Sequence, residues 1–279
     1  MTGIFGKSLV RAFEEPRPAR RAALAMIRAL GRGSYDFRVR IGAVARPPYT
    51  YCVYHAASLA SRLGVSRISV VEFGVAAGRG LLNLEHHARE ASRRFSVGIE
   101  VYGFDTGAGL PEPIDYRDLP YHWRKGFFRM DEERLRASLR EAKLVLGDLS
   151  ATAPTVFHGH KPAPIGAIAY DLDFYSSTVT ALKMLEAGDG NYLPRVYCYL
   201  DDIIGSEVEL YNDFSGVRLA VDEFNREHPS IKMSPAYHFL SRPLPEPWHH
   251  QIRICHFLKH PRYNDFVSES DQEEQVSLA

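Results

Sequence analysis

A chain of 279 residues with 45% hydrophobic and 24% charged residues can bury a core, as one large domain or two small ones. Lys+Arg and Asp+Glu are equal at 34 each, and this zero net charge argues against a nucleic-acid binder working through bulk charge, because counterion release needs a basic surface. Three widely spaced cysteines (Cys52, Cys198, Cys255) argue against a disulfide framework and a zinc site, and no apolar run has bilayer or secretory character, so a cytoplasmic protein without stable membrane insertion is expected.

The chain opens on a basic stretch that carries Arg11, Arg17, Arg20, Arg21, Arg28, Arg32, Arg38, Arg40 and Arg46 against Glu14, Glu15 and Asp36. It reads as a solvated arm. Within it, residues 20–30 form an amphipathic pattern (Leu24, Ile27, Leu30) without the aromatic residues of a membrane-surface helix. A helix is expected over 49–63, ending at Gly64, and residues 1–64 are assigned to an N-terminal helical extension. From there short apolar runs alternate with helical stretches, the pattern of a parallel sheet covered on both faces. Strands are expected at 68–73, 101–105, 144–148, 165–172, 196–201, 237–240 and 252–258, with helices at 80–92, 132–141, 177–186 and 217–227. The expected fold is therefore α/β and Rossmann-like, with a mostly parallel seven-stranded sheet between helices, over 65–262. Glu269, Asp271, Glu273 and Glu274 belong to an acidic tail over 263–279, expected to be disordered. Residues 107–136 interrupt the alternation. Their aromatic residues and prolines fit either a structured flap at the ligand edge or a packed surface loop.

Asp105, Asp148, Asp171 and Asp201 each close an apolar run. In an open parallel sheet, ligands bind outside the carboxyl ends of the strands, so acids gathered there suit a site better than a core. The first strand runs into Glu72-Phe73-Gly74-Val75-Ala76-Ala77-Gly78-Arg79-Gly80. Small residues let the chain turn sharply and a ligand approach the backbone, while the next helix aims free N–H groups at it. Ala76 occupies the second glycine position of the dinucleotide fingerprint, and no Lys-Ser/Thr comes after it as in a phosphate loop. Asp105 at the tip of the second strand suits the hydroxyls of a ribose. Gly147-Asp148 suits an adenine amino group, and Glu72 the amino group of an amino-acid moiety. Adenine, ribose and an amino acid without phosphates describe S-adenosylmethionine. The cofactor-binding set is then Glu72, Gly74, Ala76, Gly78, Asp105, Thr106, Gly147, Asp148 and Tyr170.

In order along the chain, VEFGVAAGRG, GFDTGAGLP, YDLDFYSST, YLDDIIG and GVRLAVDEF resemble segments of the macrocin and mycinamicin O-methyltransferases, which methylate deoxysugars on macrolides. The resemblance spans roughly residues 69–224. It is most specific where D-x-D-x-Y-x-S-T precedes Asp-Asp. It implies a class I methyltransferase fold, S-adenosylmethionine as cofactor, and a small-molecule hydroxyl acceptor such as a sugar of a natural product.

Asp171 and Asp173 end the fourth strand and Asp201 and Asp202 the fifth, so four carboxylates converge where adjacent strands end. Uncompensated carboxylates repel unless a cation shares them, and oxygen-only ligands suit Mg²⁺. The resemblance implies that Asp171, Asp201 and Asp202 hold the metal. Asp173 is a fourth ligand, a substrate contact or a base. The competing structural role is capping of the next helix by Asp173 and Ser176. A sulfonium methyl is already activated, so alignment with an oxygen and removal of its proton are what remain. A metal lowers the pKa of that oxygen, and Asp171 or Asp173 takes the proton as catalytic base. Phe174 stands where catechol-type relatives carry a lysine base, which fits the sugar-type enzymes better.

No ligand spacing ties His86, His87, His249, His250, His256 or His260 to a metal. His86 and His87 are expected to face solvent or cap the helix. Three alternatives compete with the methyltransferase reading: a metal-independent methyltransferase, a D-x-D glycosyltransferase and a non-catalytic cofactor-binding scaffold. A D-x-D phosphatase would place its aspartates after the first strand. A homodimer, with N-terminal helices covering a neighbour's site, is a further expectation.

Overall fold

The structure is a computed structural model that describes residues 18–153 and 155–268; the start of the basic arm and the acidic tail from Glu269 onward lie outside the described residues. In chain order the helices and strands are α1 (Pro18–Leu30), α2 (Tyr35–Ile41), α3 (Pro47–Arg62), β1 (Arg67–Phe73), α4 (Arg79–Phe95), β2 (Gly98–Asp105), α5 (Glu132–Ser138) and β3 (Lys143–Leu146). They continue with α6 (Leu149–Thr152), α7 (Val156–Gly159), β4 (Ile165–Tyr170), α8 (Tyr175–Leu182), β5 (Tyr192–Leu200), α9 (Gly216–Glu227), β6 (Ile231–Pro235) and β7 (Ile252–Phe257).

The seven strands form one sheet in the order β3-β2-β1-β4-β5-β7-β6. All neighbours are parallel up to β5, and β7 runs antiparallel to both β5 and β6. This is the Rossmann-like, mostly parallel arrangement expected of the methyltransferase fold. The chain direction across the sheet reverses between β1 and β4, and that is where a ligand crevice opens. β1 and β4 are buried almost end to end, as strands covered on both faces must be. Val70, Ala167, Ala169 and Tyr199 point to the face covered by α3 and α4. Val71, Phe73, Ile168, Tyr170, Cys198 and Leu200 point to the face covered by α8 and α9.

Register aligns Phe104, Phe73, Tyr170 and Leu200 as one row across four strands. The next residue on each is therefore Asp105, Gly74, Asp171 and Asp201. Alternation of side chains along a strand does the rest: the first of these rows packs into the core, and the second meets the crevice.

Several expectations are corrected. Residues 237–240 belong to a 3₁₀ turn (Tyr237–Ser241) rather than a strand, with Phe239 buried and Tyr237 and Leu240 exposed. The strand at that edge is β6, which carries a single buried residue, Met233, and so shows almost no apolar signal. The helix expected to reach 141 ends at Ser138, and the helix expected over 177–186 starts at Tyr175 and tightens to 3₁₀ at Lys183. His87 is buried rather than solvent-facing, with its Nδ1 3.1 Å from the Tyr35 hydroxyl. No residue of α1 is buried. α3, placed by sequence in the N-terminal extension, packs directly on the sheet through Tyr49, Val53 and Ala56. Among the described residues no helix is long and apolar enough to cross a membrane.

The early end of α5 has a specific cause. The buried Glu85 on α4 accepts backbone N–H bonds from Arg140, Glu141 and Ala142 at 2.8, 2.5 and 2.9 Å, and so turns the chain into β3. Replacing it strands three donors. Glu85→Ala is expected to lower stability by about 3 kcal/mol in urea unfolding, with Glu85→Gln recovering part of that loss.

Candidate active site

The turn after β1 has left-handed backbone at Gly74 (φ 84°), Ala76 (φ 46°) and Gly78 (φ 81°). At Gly74 glycine is required: a Cβ there would fall 1.9 Å from the Asp171 carbonyl oxygen. Ala76 takes the same conformation with a side chain and is held there by Asp105. The Asp105 carboxylate accepts the N–H groups of Val75 at 2.8 Å, Ala76 at 2.9 Å and Gly107 at 2.6 Å. It therefore ties the turn to the tip of β2, and three of its roughly four acceptor sites are already occupied. Thr106 closes the next turn through its hydroxyl to the Gly109 carbonyl at 3.1 Å. Past β3, Gly147 has φ 142°, and Asp148 accepts the Ser150 N–H at 2.8 Å to start α6.

These groups line one wall of a cavity of about 1020 Å³, whose other wall carries Asp171, Asp173, Asp201 and Asp202. Of the sequence-predicted residues, Gly74, Ala76, Asp105, Thr106, Gly147 and Asp148 line it. Two do not. Tyr170 is 0% exposed, and its side chain packs against Phe73 in the core behind the sheet edge. Glu72 lies sealed beneath the start of α4, where a Cβ on Gly80 would meet its Oε1 at 1.8 Å. The Tyr49 hydroxyl stands between it and the cavity, 2.9 Å from Glu72 Oε1 and 2.8 Å from Asp171 Oδ2. Burial, and then Asp171, push the Glu72 carboxyl well above the usual carboxylate range. One hydroxyl hydrogen serves one of these two carboxylates at a time.

Carboxylate oxygens of Asp171, Asp201 and Asp202 lie within 4.8 Å of one another. Each has a tyrosine: Tyr49 on Asp171, Tyr199 on Asp201 Oδ1, and Tyr211 on Asp202 Oδ1 at 2.7 Å. Asp202 Oδ2 is buried without a partner among the described residues. Burial and Asp201 push Asp171 up to about 7; burial and Asp171 do the same to Asp173, and burial and Asp173 also raise Asp202 well above the usual carboxylate range. Three converging carboxylates with an orphaned oxygen are a donor set that fits a hard divalent cation.

Helix capping does not account for Asp173. The N-cap of α8 is Phe174, without a side-chain cap, and the Ser176 N–H and hydroxyl go instead to Asp118 at 2.8 and 2.9 Å. Asp118 comes from the 107–136 segment and also accepts the Ile114 N–H at 2.9 Å. The segment is thus a structured flap whose Leu110, Pro111, Trp123 and Phe128 line the cavity. Sequence reasoning misses Asp118, the three tyrosines and Arg46. The Arg46 guanidinium lies 4.0 Å from Asp171 and over the Tyr49 ring.

No family model matches the chain, and no curated protein matches it. Among solved structures it is similar to the calicheamicin methyltransferase CalS11, at 17% identity over 87% of this chain and 93% of that one, with a TM-score of 0.49. It is also similar to the O-methyltransferase NovP, at 18% identity over 67% and 75% of the two chains, with a TM-score of 0.49.

The crowded acids set a pH dependence. Asp171 and Asp173 keep protons up to about pH 7 that an unfolded chain releases near the ordinary value of 3.8, so their contribution to stability falls as pH rises through 7. Burial holds His55 and His249 down to about 4 and His87 to about 3, which acts in the opposite sense but is complete above their unfolded value of 6.5. Between about pH 6.5 and 8 the chelator-treated protein is therefore expected to lose thermal stability, and Asp173→Asn to flatten that slope. A Tm that rises across this window in both proteins would show that the acids are not crowded.

Proposed function

We propose that this chain transfers a methyl group from S-adenosylmethionine to a hydroxyl oxygen of a small molecule, with a divalent cation such as Mg²⁺ at Asp171, Asp201 and Asp202. One observation carries the reading. A single in-register sheet edge presents both a glycine-rich turn without a phosphate-loop lysine and a carboxylate triad to one cavity. A nucleotide-sugar enzyme would need diphosphate contacts in place of that turn.

The chain's own residues have distinct tasks. Gly74 and Ala76 border the cofactor, and Gly78 shapes the turn behind them. Asp105, with one acceptor site left, takes one ribose hydroxyl, and Thr106, Gly147 and Asp148 border the base. Tyr170 contributes only by packing the edge, and Glu72 acts through Tyr49. When bound, S-adenosylmethionine supplies a methyl group already activated on sulfur. A bound Mg²⁺ ion supplies charge that lowers the pKa of an acceptor oxygen and fixes its position. Asp173 lines the cavity outside the triad, which leaves its carboxylate to serve as the general base. It receives the acceptor's proton on a carboxylate oxygen. Leu110, Pro111, Trp123 and Phe128 exclude water from the aligned pair. The motif resemblance makes a sugar hydroxyl on a natural product the proposed acceptor.

Calorimetric titration with S-adenosylmethionine and with Mg²⁺ tests both halves without an acceptor. The wild type is expected to bind both. The Asp201→Asn/Asp202→Asn variant should keep cofactor affinity within about threefold and lose at least about 100-fold in Mg²⁺ affinity. A wild type that binds no cofactor overturns the reading. Cofactor binding without Mg²⁺ binding would replace it by a metal-independent methyltransferase.

A further inference from the structure

The acidic wall creates a problem for the ligand it is proposed to bind. An amino-acid end carries a carboxylate as well as an ammonium. The space between the glycine turn and the triad is bordered by Asp171, Asp173, Asp201 and Asp202, with Glu72 beneath. An anionic group entering there meets like charge on several sides.

Arg46 stands at that place. It precedes Pro47-Pro48 as the N-cap of α3, with φ 44° and ψ 69°, although a residue before proline favours extended backbone. The strained backbone turns its side chain into the cavity, where it remains 41% exposed. Its guanidinium carbon lies 5.0 Å from the Tyr49 ring centroid, and the Tyr49 hydroxyl would be 3.0 Å from a Cβ on Gly80. The guanidinium thus stacks on the Tyr49 ring, whose hydroxyl reaches the start of α4, and its Nη1 lies 4.0 Å from Asp171. Among the described residues it is the only cation within that distance of the acid cluster, and no hydrogen bond fixes its fork. Arg79 also lines the cavity but sits exposed on the first residue of α4, away from the triad.

We propose that Arg46 receives the α-carboxylate of S-adenosylmethionine, so that the chain selects a cofactor with an intact amino-acid end. The inference rests on the proposed cofactor reading of the cavity. A planar fork matches a carboxylate two bonds at a time, and stacking on Tyr49 orients it beforehand. Asp171 is then left to its cation, because Arg46 is drawn toward the cofactor rather than pairing with the triad.

The test compares S-adenosylmethionine with its decarboxylated form, which keeps adenine, ribose, sulfonium and ammonium. Calorimetry is run on the wild type, Arg46→Gln and Arg46→Lys. The wild type is expected to bind the intact cofactor at least about tenfold more tightly than the decarboxylated one. Arg46→Gln should lose about 10- to 100-fold for the intact cofactor while its affinity for the decarboxylated one stays within about twofold, which also reports an intact site. Arg46→Lys should recover part of the loss. If Arg46→Gln weakens both ligands equally, or neither, the inference is overturned while the cofactor reading stands. If the wild type binds neither ligand, the cofactor reading fails and the inference falls with it.

Discussion

The two halves of the site are joined by a backbone contact with no room in it. Asp171 donates its N–H to the Phe73 carbonyl at 2.9 Å, and its own carbonyl lies where any side chain on Gly74 would have to go. The glycine turn and the first acid of the triad are therefore held together by β1 and β4 themselves rather than by mobile side chains. Shifting either strand by one residue would exchange the row Phe73, Tyr170 and Leu200 for its solvent-side neighbours, so the core on the second face enforces the spacing of the site.

The same rigidity makes the acids expensive. Folding forces Asp171, Asp201 and Asp202 together at the sheet edge, and the raised pKa values of Asp171 and Asp202 record that cost. The three tyrosines reduce it without cancelling the charge. A hydroxyl donates one hydrogen bond but adds no positive charge, so each carboxylate is oriented while the group stays anionic. Lysines in those positions would have paired with the acids and closed the site to a cation.

Much of this is legible in the sequence because it depends on single strands. An apolar run that ends in an acid is visible in any chain, and Asp105, Asp171 and Asp201 stand out that way. What escapes depends on contacts between distant segments. Tyr49 reaches Asp171 across 122 residues, and Asp118 reaches Ser176 across 58, and no local pattern marks either. Tyr170 misleads because strand alternation turns it into the core one residue before the crevice. Glu72 misleads because burial under Gly80 cannot be read from its position in the turn. β6 is missed for the opposite reason, having too little apolar content to stand out.

Asp118 joins two parts of the molecule that would otherwise move separately. It belongs to the flap, yet it satisfies a free N–H in the first turn of α8, that of Ser176, three residues after Asp173. Lifting the flap at that point would leave a helix end unpaired and loosen the segment that carries Asp173. The flap is held along its length: Asp118 and Leu119 are buried, backbone bonds pair Leu110 with Gly126 and Phe127 at 2.8 and 2.9 Å, and the Tyr121 hydroxyl donates to the Glu209 carbonyl at 2.7 Å. A ligand entering the cavity would therefore meet a wall pinned to the sheet edge at the Asp118–Ser176 contact rather than a loose loop.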